Sequence, residues 1–208
     1  MQKSLKKMLN GYQEFRDKYA HGDRSIMELL SLYGQQPKIM VIACCDSRVD
    51  PGMILQCDPG DLFVVRNIAN IVPPYEKDKK HHGTSAALEF GITVLEVEHL
   101  ILLGHSQCGG MQALLDKKTT ADYDFITQWV SIIDTTNISP ENVDECAKLA
   151  LQQSEQNCLS FPWIAERVAQ KKLVIHLWFF DIKSGQIFTY SESEKMYKQL
   201  DPTEPEAR

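Results

Sequence analysis

Two short apolar runs, each followed directly by reactive side chains, constrain this chain more than any other feature. The first run covers residues 39–43 and leads into Cys44, Cys45, Asp46, Ser47 and Arg48. The second covers residues 99–103 and leads into Gly104, His105, Ser106, Gln107 and Cys108. Apolar runs of this length are too short for helices and indicate buried strands, and ligands collect at the carboxyl ends of parallel strands. The two runs therefore predict an α/β fold in which two strands carry reactive groups to one edge of the sheet.

The remaining pattern alternates between strands and helices. It predicts strands at residues 38–43, 62–66, 100–103 and 173–180, with a last hairpin strand at 186–190. It predicts helices at residues 51–56, 83 or 84–97 and 109–115, and a helical region at 123–170 interrupted near Ser139–Pro140 and Phe161–Pro162. This order is typical of a central, mainly parallel β-sheet flanked by helices, and we expect one domain covering residues 1–208.

Composition excludes several classes of protein. The chain has 208 residues, of which 43% are hydrophobic, which is enough to bury one full core. A net charge of −6 argues against a nucleic-acid surface, and no apolar run approaches the length of a membrane span. Six cysteines without a secretory signal indicate a reducing compartment, where metal binding is more common than disulfides. We expect a cytoplasmic protein that binds neither nucleic acid nor membrane.

Residues 1–34 have the pattern of a two-helix arm. The first helix has an apolar stripe formed by Leu5, Met8, Leu9, Tyr12, Phe15 and Tyr19. A turn at residues 21–23 separates it from a second apolar segment formed by Ile26, Met27, Leu29, Leu30 and Tyr33. From these residues alone, packing of both stripes on their own domain is the favoured interpretation.

Cys44, His105 and Cys108 form a set of donors suited to zinc. Zinc takes thiolate and imidazole ligands tetrahedrally, and a catalytic site supplies three protein ligands and leaves the fourth position for water. Cys45 is the nearest candidate for a fourth ligand. In an extended segment its side chain points away from that of Cys44, although a loop at this point could change the direction. The set therefore favours a catalytic site over a structural one.

Asp46 and Arg48 lie two residues apart beside this set. Arg48 can keep Asp46 ionised and oriented through charge-assisted hydrogen bonds. Asp46 would then accept a proton from water on the metal instead of binding the metal. A structural site has no use for such a carboxylate, so the pair speaks against a non-catalytic zinc-binding protein.

Together these residues resemble the paired signature of the β-class carbonic anhydrases, namely Cys44-x-Asp46-Ser47-Arg48 and His105-x-x-Cys108-Gly109-Gly110. The resemblance covers at least residues 35–115. It implies zinc-dependent reversible hydration of carbon dioxide to bicarbonate and a proton, by attack of zinc-bound hydroxide. Because two of the three ligands would be thiolates, we expect activity to rise from neutral to alkaline pH.

The resemblance also implies a substrate pocket and a partner subunit. Gln35 matches a glutamine that hydrogen-bonds substrate, Phe63 and Ile68 match an apolar wall, and Gly109 matches a backbone N–H donor. We expect Phe90 to complete that wall. Without the resemblance, the three apolar residues would be interpreted as ordinary core and Gln35 as a surface residue. In this family the N-terminal helices commonly lie across a neighbouring subunit, which predicts a homodimer or a dimer of dimers.

The chain departs from the family pattern in two respects, the first of which concerns some bacterial members. Those members have a tryptophan three residues before the first zinc cysteine and a tyrosine on a late strand, which form a bicarbonate inhibitory site with an arginine. This chain has Val41 and apparently Phe180 at those positions and retains only Arg66. We therefore predict an open zinc site in which Asp46 pairs with Arg48. At the second departure, Cys45 replaces a serine or alanine.

Some alternatives stay open at this point. A relative on the same scaffold could hydrolyse carbon disulfide or carbonyl sulfide, and the sequence around the pocket does not exclude this. His81 and His82 could relay protons to buffer, because imidazole titrates near neutral pH, or they could be ordinary solvated loop residues. A redox role for Cys44 and Cys45 is disfavoured, since adjacent cysteines form strained disulfides.

Overall fold

A six-stranded mixed sheet lies at the centre of the molecule, with the strand order β2-β1-β3-β4-β5-β6. The computed structural model describes residues 2–78, 80–116, 123–136, 142–201 and 203. Its strands are β1 Ile39–Cys44, β2 Leu62–Asn67, β3 His99–His105, β4 Val174–Asp181, β5 Gln186–Ser191 and β6 Met196–Gln199. The first four strands are parallel, and β5 and β6 are antiparallel additions at one edge. The predicted mainly parallel α/β fold is confirmed, while β6 was not predicted.

Helices flank this sheet and form the predicted arm. They are α1 Gln2–Tyr19, α2 Ile26–Tyr33, α3 Pro51–Ile54, α4 Gly83–Glu89, α5 Gly109–Leu115, α6 Ile126–Val130, α7 Val143–Leu159 and α8 Pro162–Ala169. A π-helical turn at Phe90–Val94 continues α4. The predicted break near Pro162 is confirmed because α8 begins there, whereas Ser139–Pro140 lies outside the described residues. Within the described helices, none is both long and apolar enough to cross a membrane.

The position of β1 determines where a ligand can bind. β2 pairs with one side of β1 and β3 pairs with the other, so the chain reverses its direction of travel across the sheet at β1. In open α/β sheets, the crevice at the carboxyl ends of the strands beside such a reversal is the usual binding site. Ala43 pairs with Leu103, so Cys44 and His105 end neighbouring strands at this crevice.

Helix α7 covers the strand that carries His105. Its buried face consists of Cys146, Ala147, Ala150, Leu151, Ser154 and Cys158. A Cβ atom at Gly104 would lie 3.0 Å from Leu151 Cδ1, closer than an ordinary van der Waals contact. The glycine therefore lets α7 pack directly against the end of β3, next to His105.

The two-helix arm leaves most of its apolar stripe exposed in the single chain. Leu5 is 62% exposed, and the exposed apolar residues of the arm also include Met8, Leu9, Tyr12, Phe15, Ile26, Met27, Leu29, Leu32 and Tyr33. The arm does touch its own domain: Tyr19 Oη donates a hydrogen bond to Asp58 Oδ1 at 2.6 Å. The side chain of Leu30 also lies against Gly60. Apart from these contacts, the apolar side chains named above stay exposed in the single chain.

Candidate metal centre

Two thiols and one imidazole meet at the crevice between β1 and β3. The donor atoms of Cys44, His105 and Cys108 all lie within 4.8 Å of one another, and all three residues are buried. Cys44 ends β1, His105 ends β3, and Cys108 directly precedes α5. The fold thus brings together the three ligands that the sequence predicts, in a cluster that could hold a metal ion.

The hydrogen bonds of His105 show that the cluster fits a metal. The Nδ1 atom of His105 lies 2.9 Å from the carbonyl oxygen of Ser106, and donation of Nδ1–H to that carbonyl leaves the lone pair on Nε2. Nε2 is buried and has no hydrogen-bond partner among the described residues. An unsatisfied buried polar atom costs about 1–3 kcal/mol, and a metal ion beside the two sulfurs would remove that cost.

A hydrogen bond between the two thiols shifts their pKa values in opposite directions. The pKa of Cys44 is lowered, chiefly because the Cys108 thiol hydrogen-bonds to it. Backbone N–H groups of Asp46 and Ala69 lower the pKa of Cys44 further, while burial opposes them. The pKa of Cys108 is raised by the same hydrogen bond and by burial. The hydrogen bond therefore favours the thiolate form of Cys44, and the thiolate is the form that binds metals.

Cys45 lies outside the cluster. Its thiol is exposed, whereas that of Cys44 is buried. The backbone N–H of Cys45 donates to the Asn67 carbonyl at 2.9 Å, so the extended geometry of β1 continues through this residue. Successive side chains of an extended segment point in opposite directions. Among the described residues, the cluster therefore has three protein donors.

Asp46 is held beside the cluster by Arg48. Arg48 Nε donates to Asp46 Oδ1 at 2.9 Å, and Arg48 Nη2 donates to Asp46 Oδ2 at 2.7 Å. The backbone N–H of Arg48 donates to Oδ1 as well, at 2.9 Å. The guanidinium keeps the pKa of the Asp46 carboxyl well below its usual range. Asp46 is thus an oriented carboxylate, and both of its oxygens are engaged by Arg48.

Arg66 has a role that the sequence did not reveal. Its Nε and Nη2 atoms donate to the carbonyl oxygens of Cys44 and Asp46 at 2.9 and 2.7 Å. Its Nη1 donates to Asp50 Oδ2 at 2.8 Å. Our interpretation of Arg66 from sequence was as a remnant of an inhibitory anion site. In the structure, the guanidinium holds the loop that carries Cys44 and Asp46. The signal for this role is the position of Arg66 on the neighbouring strand.

The predicted substrate residues fall into two groups. In the first group, Ile68 follows β2 and Gly109 begins α5. Both therefore lie near the cluster of Cys44, His105 and Cys108. Phe63 and Phe90 belong to the second group and lie together, with ring centroids 5.8 Å apart.

The second group lies at the other end of β1. Phe63 pairs with Met40, four residues before Cys44, which corresponds to about 13 Å along a strand. Gln35 is exposed and precedes the same end of β1. Within one chain, the fold thus separates Gln35, Phe63 and Phe90 from the cluster.

The histidines considered as proton relays lie in an exposed loop before α4. His82 Nε2 is 2.6 Å from Asp78 Oδ1, and His81 is exposed. Both line a cavity of about 490 Å³ that also includes Trp129 and Thr84. Trp129 Nε1 donates to the Ile68 carbonyl at 2.7 Å, so this cavity adjoins the segment next to the metal cluster.

Two adjacent glycines at the start of α5 provide a matched test of packing at the site. A Cβ atom at Gly110 would lie 2.8 Å from Ala69 Cβ and 2.9 Å from Ile68 Cγ2, whereas a Cβ at Gly109 would meet nothing within 4 Å in the described part of the chain. We expect Gly110→Ala to lower the free energy of unfolding by about 1–3 kcal/mol through overpacking. Urea unfolding measures the effect, with Gly109→Ala as the control. Equal stability of the two variants would contradict the prediction.

Comparisons with known proteins identify the family of this chain. The sequence model of the carbonic anhydrase family matches residues 39–187. Beta carbonic anhydrase 3 of Arabidopsis thaliana is 36% identical, over 90% of this chain and 82% of that protein. A carbonic anhydrase of Synechocystis sp. is 34% identical, over 89% of this chain and 71% of that protein.

Solved structures are similar as well. The β-carbonic anhydrase CcaA has a TM-score of 0.84 at 30% identity, covering 95% of this chain and 100% of that one. A structure from work on two tetrameric β-carbonic anhydrases of Sordaria macrospora has a TM-score of 0.73 at 30% identity, covering 90% and 96% of the two chains. The chain belongs to the β class of the carbonic anhydrase family, as the paired motifs predicted.

Proposed function

We propose that this protein catalyses the reversible hydration of carbon dioxide to bicarbonate and a proton, with zinc as its metal. The observation that carries the proposal is the buried cluster of Cys44, His105 and Cys108, with an unpartnered imidazole nitrogen among the described residues. Family membership supplies the reaction. The Asp46–Arg48 pair beside the cluster supports a catalytic site over a structural one.

The donor set favours zinc over other divalent ions. Cys44 Sγ, His105 Nε2 and Cys108 Sγ would hold the ion, and two thiolates with one imidazole suit zinc better than the hard cations that prefer oxygen ligands. When bound, zinc lowers the pKa of a water molecule from about 15.7 towards about 7 and so makes a nucleophile available near neutral pH.

The chain's own residues orient and deprotonate the attacking water. With the ion bound, the Asp46 carboxylate would accept a hydrogen bond from that water and orient it. Arg48 keeps Asp46 ionised and holds its carboxylate by two hydrogen bonds. The carboxylate is therefore less able to bind the metal as a fourth ligand. Arg66 holds the backbone of the same loop. The proton then leaves towards solvent, for which His81 and His82 are candidate carriers.

The apolar part of the substrate pocket is best explained by a second copy of the chain. Gln35, Phe63 and Phe90 lie at the end of β1 that is remote from the metal cluster of their own chain. If they bind substrate, as the family resemblance implies, they do so at the site of a neighbouring subunit. The relatives from Sordaria macrospora are described as tetrameric. A homodimer, or a dimer of dimers, accounts for both features.

The exposed stripe of the arm gives a direct test of this assembly. We expect sedimentation of the full chain to give a dimer or tetramer, and Leu5→Lys with Leu9→Lys to shift it to a smaller species, because charges would replace an apolar contact surface. Lys3→Gln with Lys6→Gln on the same helix serves as the control. A monomeric wild-type protein would contradict the proposal.

We also place the enzyme in a reducing compartment such as the cytoplasm. The cysteines Cys44, Cys45, Cys57, Cys108, Cys146 and Cys158 are all free. Free thiols persist where glutathione and thioredoxin keep them reduced, and metal-binding thiolates require that condition.

Stopped-flow carbon dioxide hydration at about pH 7 and about pH 8.5 tests the activity on protein of known zinc content. We expect fast hydration that is lost on zinc removal by a chelator and restored by adding zinc back, because the ion generates the nucleophile. Carbonyl sulfide and carbon disulfide are assayed in parallel. Zinc-loaded protein that hydrates no carbon dioxide would overturn the proposal and favour a sulfur-substrate hydrolase or a non-catalytic scaffold.

A further inference from the structure

The loop between the ligands His105 and Cys108 adopts a backbone conformation that must be held in place. Gln107, the second of its two residues, has φ of 55°, in the left-handed region that residues other than glycine seldom occupy. Gln107 is also exposed, so its own side chain is not fixed by burial. Such a conformation persists only when surrounding contacts determine it.

Both polar groups of the Gln107 backbone have partners from distant parts of the chain. Its N–H donates to Asp144 Oδ1 at 2.8 Å, and Asp144 lies in the first turn of α7. Its carbonyl accepts a hydrogen bond from Arg48 Nη2 at 3.3 Å. The same Nη2 atom donates to Asp46 Oδ2 at 2.7 Å. A continuous series of hydrogen bonds therefore runs from α7 through Gln107 and Arg48 to Asp46.

We propose that Asp144 is a positioning residue for the metal centre. By accepting a hydrogen bond from the Gln107 N–H, Asp144 fixes the loop between the two ligands. It also fixes the Gln107 carbonyl, which accepts a hydrogen bond from Arg48 and so holds Arg48 beside Asp46. Asp144 acts through these groups and touches no reacting atom. Only the expected change in kcat rests on the proposed function, because the hydrogen bond and the metal affinity can be measured without any activity.

The alternative is that Asp144 only stabilises the start of α7. An acidic residue in the first turn of a helix interacts favourably with the helix dipole. Two observations separate this role from positioning. The N-cap hydrogen bond of α7 comes from Asn142 Oδ1, which accepts the Glu145 N–H at 3.0 Å. Glu145 also lies in the same first turn and is exposed, so Glu145→Ala removes an equal charge from the same helix end.

Amide hydrogen exchange at Gln107, followed by NMR on the zinc-loaded protein, tests the hydrogen bond directly. The wild-type amide is expected to exchange slowly despite its exposed loop position. Asp144→Ala should raise the exchange rate at Gln107 by at least about tenfold, because the acceptor is lost. Asp144→Asn retains an acceptor oxygen and should preserve the protection, as should Glu145→Ala. Unprotected exchange at Gln107 in the wild-type protein overturns the proposal, even if Asp144→Ala fails to fold.

Zinc affinity, measured by competition with a chromogenic chelator, tests the consequence. Loss of an outer partner of a metal site typically weakens binding about 10- to 100-fold, and we expect at least a tenfold loss in Asp144→Ala. Asp144→Asn and Glu145→Ala should stay within about twofold of wild type. In the hydration assay, Asp144→Ala should lower kcat with little change in KM.

The outcomes separate the two proposals. A Glu145→Ala variant that loses as much zinc affinity as Asp144→Ala would assign the effect to the helix dipole and overturn the positioning role. If the wild type hydrates no carbon dioxide but the exchange and affinity differences appear as expected, the positioning role stands and the proposed activity fails.

Discussion

Replacing Cys44 by serine should abolish both tight zinc binding and carbon dioxide hydration. Cys44 is buried at the end of β1, and its thiol is the member of the pair with the lowered pKa. A serine hydroxyl keeps its proton at neutral pH and is a weak ligand for zinc. We expect hydration to fall roughly 1,000-fold or more, because zinc supplies the nucleophile and several kcal/mol of transition-state stabilisation.

The adjacent Cys45 gives a control within the same dipeptide. Its thiol is exposed, and its backbone continues the strand geometry that turns its side chain away from the cluster. Cys45→Ser should keep its zinc and stay within about twofold of wild-type activity. Zinc content by atomic absorption and hydration by stopped flow are measured on both variants. Loss of zinc from Cys45→Ser would show that our ligand assignment is wrong.

Replacing Asp46 by asparagine should lower hydration by about 100-fold or more while zinc is retained. Proton transfer to a positioned side chain contributes about 10²–10⁴ in rate, and an amide cannot accept that proton. Both oxygens of Asp46 also accept hydrogen bonds from Arg48. An amide nitrogen in place of one oxygen would face a donor, so the orientation of the side chain would change as well.

A second paired carboxylate, remote from the metal, controls for the loss of charge. Asp58 accepts a hydrogen bond from Tyr19 Oη and lies 3.5 Å from Lys18 Nζ, so Asp58→Asn makes the same chemical change at the base of the arm. It should leave hydration within about twofold of wild type. Wild-type rates in Asp46→Asn with full zinc content would rule out the role assigned to this carboxylate.

The strands and the metal ligands could be predicted because their signals are local. The run at residues 39–43 is apolar throughout, and the reactive residues follow it without a gap. The strand β6 gave no such signal, since Met196–Gln199 is mostly exposed and contains no long apolar run. An edge strand of this kind forms because β5 offers it a partner, which a pattern of hydrophobicity does not record.

The supports of the metal loops could not be predicted for a different reason. Arg66 meets the carbonyl of Cys44 because Ala43 and Arg66 are paired in the sheet. Asp144 meets Gln107 because α7 packs against the end of β3. Both contacts join backbone groups to side chains distant in sequence, and a backbone acceptor or donor has no residue type that could identify it. Only the register of strands and helices determines them.

The three donors of the cluster come from the ends of two strands and the start of a helix, and Cys44 lies far along the chain from His105 and Cys108. An ion bound there would act as a cross-link between β1 and β3. It would lie at β1, the strand that has β2 on one side and β3 on the other. Because the unfolded chain does not hold these donors together, binding free energy becomes folding free energy. Metal loading and completion of the sheet are thus parts of a single equilibrium.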